Sequence, residues 1–133
     1  MKIGEGYTKE TIVTEEMLAT QAFKEAPSVY GTPSLVAFIE KTAHEAMSGL
    51  LAEGQTSVGM EIWLEHSSPT PLGMRVSCEV ELTEFENIFA TFSVKAYDES
   101  GLICKCTHKR AIVERERIEA KASRKNKKGD NQT

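Results

Sequence analysis

The apolar and polar positions divide the chain into one helical stretch and a series of alternating strands. Apolar residues recur at helical spacing from Leu35 to Leu51 and occupy most sides of the predicted helix. Thr32 is an acceptable N-cap, Pro33 is favoured at the first helical position, and Gly54 can cap the C-terminus. We therefore expect a helix of about twenty residues. Other elements must wrap it, because so much of its surface is apolar.

Alternation of apolar and polar residues dominates the rest of the chain and predicts antiparallel strands separated by turns. The predicted strands are residues 7–13, 56–66, 74–83, 88–97 and 102–113. In the second strand, the positions expected to face the helix are Val58, Met60, Ile62, Leu64 and His66. Residues 14–27 are expected to form short helical turns. One curved antiparallel sheet wrapped around one central helix accommodates this order, so the predicted class is α+β with a hot-dog fold.

Composition is consistent with one soluble domain. The chain has 133 residues, of which 40% are hydrophobic and 27% are charged. No stretch approaches the eighteen or so consecutive apolar residues of a transmembrane helix, and MKIGEGYTKE lacks the apolar region of a secretory signal. The three cysteines have no metal-ligand spacing, so reduced thiols are expected. We therefore expect a cytoplasmic protein without a membrane segment.

Charge is distributed unevenly along the chain. Residues 1–113 hold sixteen Asp and Glu against nine Lys and Arg, whereas residues 114–133 hold four against seven. We predict a domain over residues 1–117 and a basic tail over residues 118–133, disordered from Ser123 onward because no apolar residue follows. The basic residues Arg124, Lys125, Lys127 and Lys128 could contact nucleic acid. A solvated terminus is favoured, since the acidic body would repel a phosphate backbone.

Three residues could take part in proton transfer or charge stabilisation. His66 ends the second strand in the inward phase, where it could act as an acid or base or be a buried histidine bonded to backbone. Glu40 lies among apolar helix positions, where it could be catalytic or simply pair with His44. Thr32 stands at the helix start, whose free amides favour negative charge and could stabilise an oxyanion.

The last strand carries a second set of inward-phase polar residues. Cys104 and Cys106 share a face with His108 and Arg110. Because no other cysteine or histidine completes a metal-ligand set, we interpret the two cysteines as small buried residues, and Cys78 likewise. A buried arginine needs an anionic or carbonyl partner, which either a neighbouring carboxylate or a bound ligand could supply.

Five short stretches resemble a known family. They are Gly-Thr-Pro at 31–33, Ile-Glu-Lys-Thr-Ala at 39–43, Gln-Thr-Ser-Val-Gly at 55–59, Glu-His-Ser-Ser-Pro-Thr-Pro-Leu-Gly at 65–73 and Thr-His-Lys-Arg-Ala at 107–111. Together, and in this order, they resemble the fluoroacetyl-CoA-specific thioesterase family, a hot-dog branch of the acyl-CoA thioesterases. The resemblance extends from about Phe23 to Arg117.

The resemblance implies particular roles. The family's catalytic threonine, glutamate and histidine match Thr32, Glu40 and His66. Its glycine near the acyl group matches Gly59, and its arginine matches Arg110, so both are expected to bind substrate. No metal or cofactor is implied, since coenzyme A belongs to the substrate. A phenylalanine that acts as a lid in the fluoroacetate-resistance enzyme is replaced here by Ala26, so strong fluoroacetyl selectivity is not expected.

The expected reaction is hydrolysis of a small acyl-CoA thioester. Rival hypotheses are a hot-dog enoyl-CoA hydratase and a non-catalytic module that binds acyl-CoA or another small ligand. Thr32 and Glu40 are eight residues apart, roughly 12 Å along a regular helix, so their side chains cannot meet unless the helix start folds back. Together with Trp63 in the polar phase of its strand, this spacing predicts a homodimer with active sites at the interface.

Overall fold

The computed structural model describes residues 1–132, with side chains described through residue 126. Five strands and two helices follow one another along the chain. They are β1 (Gly6–Ile12), α1 (Thr32–Ala46), β2 (Gln55–His66), β3 (Arg75–Glu86), β4 (Phe89–Asp98), β5 (Gly101–Glu114) and α2 (Arg115–Gln132). Short 3-10 turns at Glu15–Met17, Ala19–Gln21 and Ser48–Leu50 complete the order. The predicted helical turns before α1 are confirmed.

One antiparallel sheet contains all five strands, in the order β1-β3-β4-β5-β2. The α1 helix lies against this curved sheet and buries Leu35, Ile39 and Ala43 completely. Inward-facing side chains of β3 and β4, such as Val80 and Phe92, form the opposite side of the core. The α+β hot-dog prediction is therefore confirmed, and β2 is one free edge of the sheet.

The central helix is shorter than the apolar pattern predicts. It has fifteen residues and ends at Ala46, because Met47 leaves helical geometry with φ of −97° and ψ of 7°. A 3-10 turn follows, and Leu50 still packs against the core, which explains why the apolar spacing seemed to continue. Gly54 does not cap the helix; it has a φ of 83° in the turn that leads into β2.

A β-bulge divides β2 into two halves with opposite phases. The pairing register with β5 shifts at Met60. Before the bulge, Ser57 and Gly59 face α1, whereas after it the inward positions are even-numbered and end with His66. The predicted inward phase is therefore right for the second half of the strand. It is wrong for Met60, which is 54% exposed, and for Val58.

The C-terminal segment forms helix α2, whereas disorder was predicted from Ser123. All described side chains of α2 are exposed, so the helix is stabilised by local propensity rather than by a core. Ala120, Lys121, Ala122 and Arg124 are good helix formers, which accounts for this difference. The side chains of Lys127 and Lys128 lie outside the described residues, as does Thr133 entirely, and the division into domain and tail stays a prediction. Neither helix of the described chain is long and apolar enough to cross a membrane.

Candidate active site

Thr32 is held at the first turn of α1 by close packing of the preceding loop. Gly31, rather than Thr32, is the N-cap residue, and its amide donates to the Met17 carbonyl. A Cβ atom at Gly31 would lie 3.0 Å from the Cα atom of Ala19, so this close approach favours glycine. The Thr32 hydroxyl makes no capping bond. Instead, its Oγ1 atom lies 2.8 Å from Nδ1 of His66.

His66 is poised to accept a proton from this hydroxyl. Burial lowers the pKa of His66 below its ordinary value of 6.5. The imidazole is therefore neutral at pH 7, so Nδ1 can accept the Thr32 hydroxyl hydrogen. The Tyr30 ring meets His66 edge-on, with 6.5 Å between ring centroids. Among the described residues, neither His66 Nε2 nor the Tyr30 hydroxyl has a hydrogen-bond partner, although both are buried.

An apolar cavity opens beside the Thr32–His66 pair. Its volume is about 420 Å³, and its walls are formed mainly by Ala22, Phe23, Ala26, Val29, Pro33 and Pro69. Apart from His66 itself, no ionisable side chain but the Tyr30 phenol lines it. Ala26 is 8% exposed and belongs to this wall. The cavity therefore suits a small uncharged group next to a nucleophile and a base.

A second polar cluster surrounds Arg110 on β5. Its Nη1 atom donates to Glu40 Oε2 at 3.0 Å, and the arginine side chain is only 7% exposed. The sequence left open whether a carboxylate or a ligand pairs with Arg110, and Glu40 is that carboxylate. Gly59 makes room for the pair, because a Cβ atom there would lie 2.5 Å from Glu40 Oε2. His44, considered above as a partner of Glu40, instead lies 2.6 Å from the Ser57 hydroxyl.

Further hydrogen bonds hold the Arg110 guanidinium in place. Its Nε and Nη2 atoms donate to the hydroxyl and the carbonyl of Ser57, and Nη1 also contacts His108 Nε2 at 3.1 Å. His108 Nδ1 in turn lies 2.9 Å from the Glu61 carbonyl. Strand alternation places His108 in the inward phase but indicates no role for it. Ser57 was missed altogether, because the bulge places it in the phase that alternation assigns to solvent.

Within one chain, the structure brings the predicted site residues together as two separate clusters. Thr32 meets His66, and Glu40 meets Gly59 and Arg110. Thr32 and Glu40 belong to one regular helix, which separates them by roughly 12 Å along its axis. The helix start does not fold back, so within one chain the two clusters stay apart.

The cysteines have no part in either cluster. Cys78, Cys104 and Cys106 are buried free thiols, as predicted. Burial raises the pKa of Cys78 and of Cys106 to about 12, so neither is a thiolate at neutral pH. In the part of the chain that the structure describes, no group of three or more His, Cys, Asp or Glu side chains is arranged to hold a metal ion.

The known proteins that this chain resembles are thioesterases. The chain is 30% identical to the fluoroacetyl-CoA thioesterase of Streptantibioticus cattleyicolor, over 97% of both chains. It matches a crystal structure of the fluoroacetyl-CoA thioesterase FlK at 29% identity and a TM-score of 0.90, over 94% of this chain and 97% of that one. A thioesterase superfamily member from Thermus thermophilus matches at 26% identity and a TM-score of 0.88, over 98% and 96%.

The fold and these relatives identify the chain as a thioester hydrolase of hot-dog architecture. A family model described as fluoroacetyl-CoA-specific thioesterase matches residues 13–116, and the chain belongs to this family. The family resemblance stated from the sequence is therefore confirmed. FlK has also been solved as a phenylalanine-to-alanine variant with fluoroacetate and CoA, and as a threonine-to-serine variant with acetyl-CoA.

Proposed function

We propose that this chain hydrolyses small acyl-CoA thioesters to the free acid and coenzyme A. The observation that carries the proposal is the 2.8 Å contact between Thr32 Oγ1 and His66 Nδ1, beside an apolar cavity of about 420 Å³. The reaction needs no metal or organic cofactor, because coenzyme A enters as part of the substrate. Three buried thiols that form no disulfide support a cytoplasmic location.

Proton transfer through His66 is the central step of the proposed mechanism. Glu40 and neutral His66 position and deprotonate either the Thr32 hydroxyl or a water molecule, and the resulting nucleophile attacks the thioester carbonyl. The first-turn amides of α1 favour the negative charge that develops on the carbonyl oxygen. When the carbon–sulfur bond breaks, coenzyme A leaves with the proton that His66 returns. If Thr32 is the nucleophile, water then hydrolyses the acyl-threonine ester.

Trapping experiments distinguish the two routes. Rapid quenching followed by mass spectrometry detects an acyl group on Thr32, or on Glu40 if that carboxylate attacks instead. Hydroxylamine intercepts such an intermediate as a hydroxamate, formed faster than by its direct reaction with acyl-CoA. Direct attack by water produces neither species. The contact between the Thr32 hydroxyl and the His66 imidazole is compatible with both routes. Detection of the intermediate therefore decides between them.

The working unit in this proposal is a homodimer. β2 is a free sheet edge on which Met60 is 54% exposed and Trp63 is 63% exposed. Pairing β2 with its copy removes that edge and buries both side chains. The Thr32–His66 pair of one protomer then faces Glu40 of the partner subunit, which joins the two clusters that a single chain keeps apart.

Three experiments test the proposal. Thiol release measured over a panel of acyl-CoAs is expected for the native chain and not for Thr32→Ala; an inactive native chain that binds acyl-CoA would instead indicate a binding module. Mixing inactive Thr32→Ala and Glu40→Gln proteins should restore activity in heterodimers. No recovery despite proven subunit exchange would refute the shared site, and a monomer at micromolar concentration in analytical ultracentrifugation would refute the dimer.

A further inference from the structure

The hydrogen bonds of Arg110 determine which ring nitrogen of the neighbouring His108 carries a hydrogen. The Nη1 atom of Arg110 has two hydrogens, and it lies 3.0 Å from Glu40 Oε2 and 3.1 Å from His108 Nε2. A guanidinium can only donate hydrogen bonds. His108 Nε2 must therefore be the acceptor, and it carries no hydrogen.

The other ring nitrogen of His108 has the opposite role. His108 Nδ1 lies 2.9 Å from the Glu61 carbonyl, which can only accept, so Nδ1 carries the hydrogen. Glu61 is the residue immediately after the bulge in β2. The backbone of this irregular strand therefore selects one neutral tautomer of His108.

The surroundings of His108 favour this neutral state. The side chain is 1% exposed, and its burial and the Arg110 charge lower its pKa, while the Glu61 carbonyl and the Glu40 carboxylate act in the opposite direction. From β4 it is paired with the apolar Phe92. His44 of α1 is directed to Ser57, and its ring makes no hydrogen bond with His108.

We infer that His108 is a positioning residue for Glu40: its neutral Nε2 accepts one Nη1 hydrogen of Arg110 and so directs the other hydrogen to the Glu40 carboxylate. A protonated His108 would present a hydrogen to a second donor and lose this contact. The inference rests on the proposed function, since it assigns His108 to the alignment of a catalytic carboxylate. It extends that function to a residue that touches neither substrate nor the reacting atoms.

Substitutions at His108 separate positioning from packing. In His108→Gln the amide oxygen can take the place of Nε2 as an acceptor for Arg110, whereas His108→Leu keeps bulk without any acceptor. We expect kcat for thiol release to fall 10- to 100-fold in His108→Leu with KM within about threefold, because a displacement of about 1 Å can have an effect of this size. His108→Gln should keep kcat within about threefold of the native value. Because glutamine does not titrate, His108→Gln should also remove any contribution of His108 to the fall of kcat at low pH.

Equal losses in folded His108→Gln and His108→Leu proteins, or no loss in His108→Leu, would overturn the inference. Nitrogen-15 NMR of the unmodified chain provides a readout that depends neither on activity nor on how the variants fold. We expect His108 to be neutral at pH 7, with its hydrogen on Nδ1. A charged ring or a hydrogen on Nε2 would also overturn the inference. An absence of thiol release from the native chain would refute the proposed function, and the NMR spectrum would still decide the state of His108.

Discussion

Replacing Gly59 by alanine should displace the Glu40 carboxylate without unfolding the protein. The added Cβ atom would lie 2.5 Å from Glu40 Oε2, whereas ordinary van der Waals contact begins at 3.4 Å. The carboxylate must therefore retreat by about 0.9 Å from its place on Arg110. A misplacement of about 1 Å can cost 10²-fold in rate, or about 2.7 kcal/mol of transition-state stabilisation. We expect kcat to fall 10- to 100-fold.

Stability should change little in the same variant. Gly59 does not have a positive φ, and alanine in a strand is favoured over glycine by about 0.5–1 kcal/mol. This gain offsets part of the cost of moving the end of one flexible side chain. The midpoint of thermal unfolding should therefore stay within about 5 °C of the native value.

A matched control and a comparison of substrates distinguish displacement of Glu40 from a direct clash with the substrate. Gly49→Ala adds the same methyl group where no atom lies within 4 Å, so it should leave kcat unchanged. If the new methyl group of Gly59→Ala acts through Glu40, kcat falls to the same extent for acetyl-CoA and for longer acyl-CoAs. A rise in KM that grows with acyl size would indicate a direct clash with substrate. A kcat within twofold of native in folded Gly59→Ala would refute the reasoning.

Three further predictions concern the same site. Glu40→Gln should lower thiol release at least tenfold, with thermal unfolding within a few degrees of native; unchanged turnover would remove Glu40 from the mechanism. Activity should fall as pH decreases through the pKa of His66, because the protonated ring cannot accept a proton, and that pKa lies below 6.5. An acid limb centred above 6.5 in a kcat/KM profile from pH 5 to 8 would contradict this. With Ala26 in the cavity wall, preference for fluoroacetyl-CoA over acetyl-CoA should stay below about a hundredfold, and Ala26→Phe should increase it.

The sequence predicts the five strands and the central helix because alternation and helical spacing reflect which side of an element faces the core. Alternation predicts the inward face least reliably in a strand that is only partly buried. β2 is an edge strand with exposed apolar side chains in both phases of its alternation, Met60 in one and Trp63 in the other, so the pattern looks equally regular with or without an extra residue. The end of α1 was missed for a related reason, since Leu50 packs on the core after the helix has ended.

The site was predictable as a set of residues and not as an arrangement. Thr32, Glu40 and His66 stood out by their positions in predicted elements, and the family resemblance selected the same three. Their division into two clusters depends on tertiary contacts that no local pattern contains. Nothing in the sequence marks Tyr30 or Ser57 as part of a site, because a tyrosine in a loop and a serine on the outer face of a strand are common in all proteins.

Both clusters depend on the bulge at Met60, a residue that belongs to neither. If Met60 stayed in the chain but paired regularly with β5 instead of bulging, one half of β2 would turn over. Either Ser57 and Gly59 would leave the Arg110 cluster, or His66 would leave Thr32. Substitution of the Met60 side chain, which is largely in solvent, should by contrast be tolerated by the monomer fold. A relative lacking one residue here could keep the same site, because Gly59–Arg110 and Glu61–Lys109 would then be consecutive pairs of a regular strand.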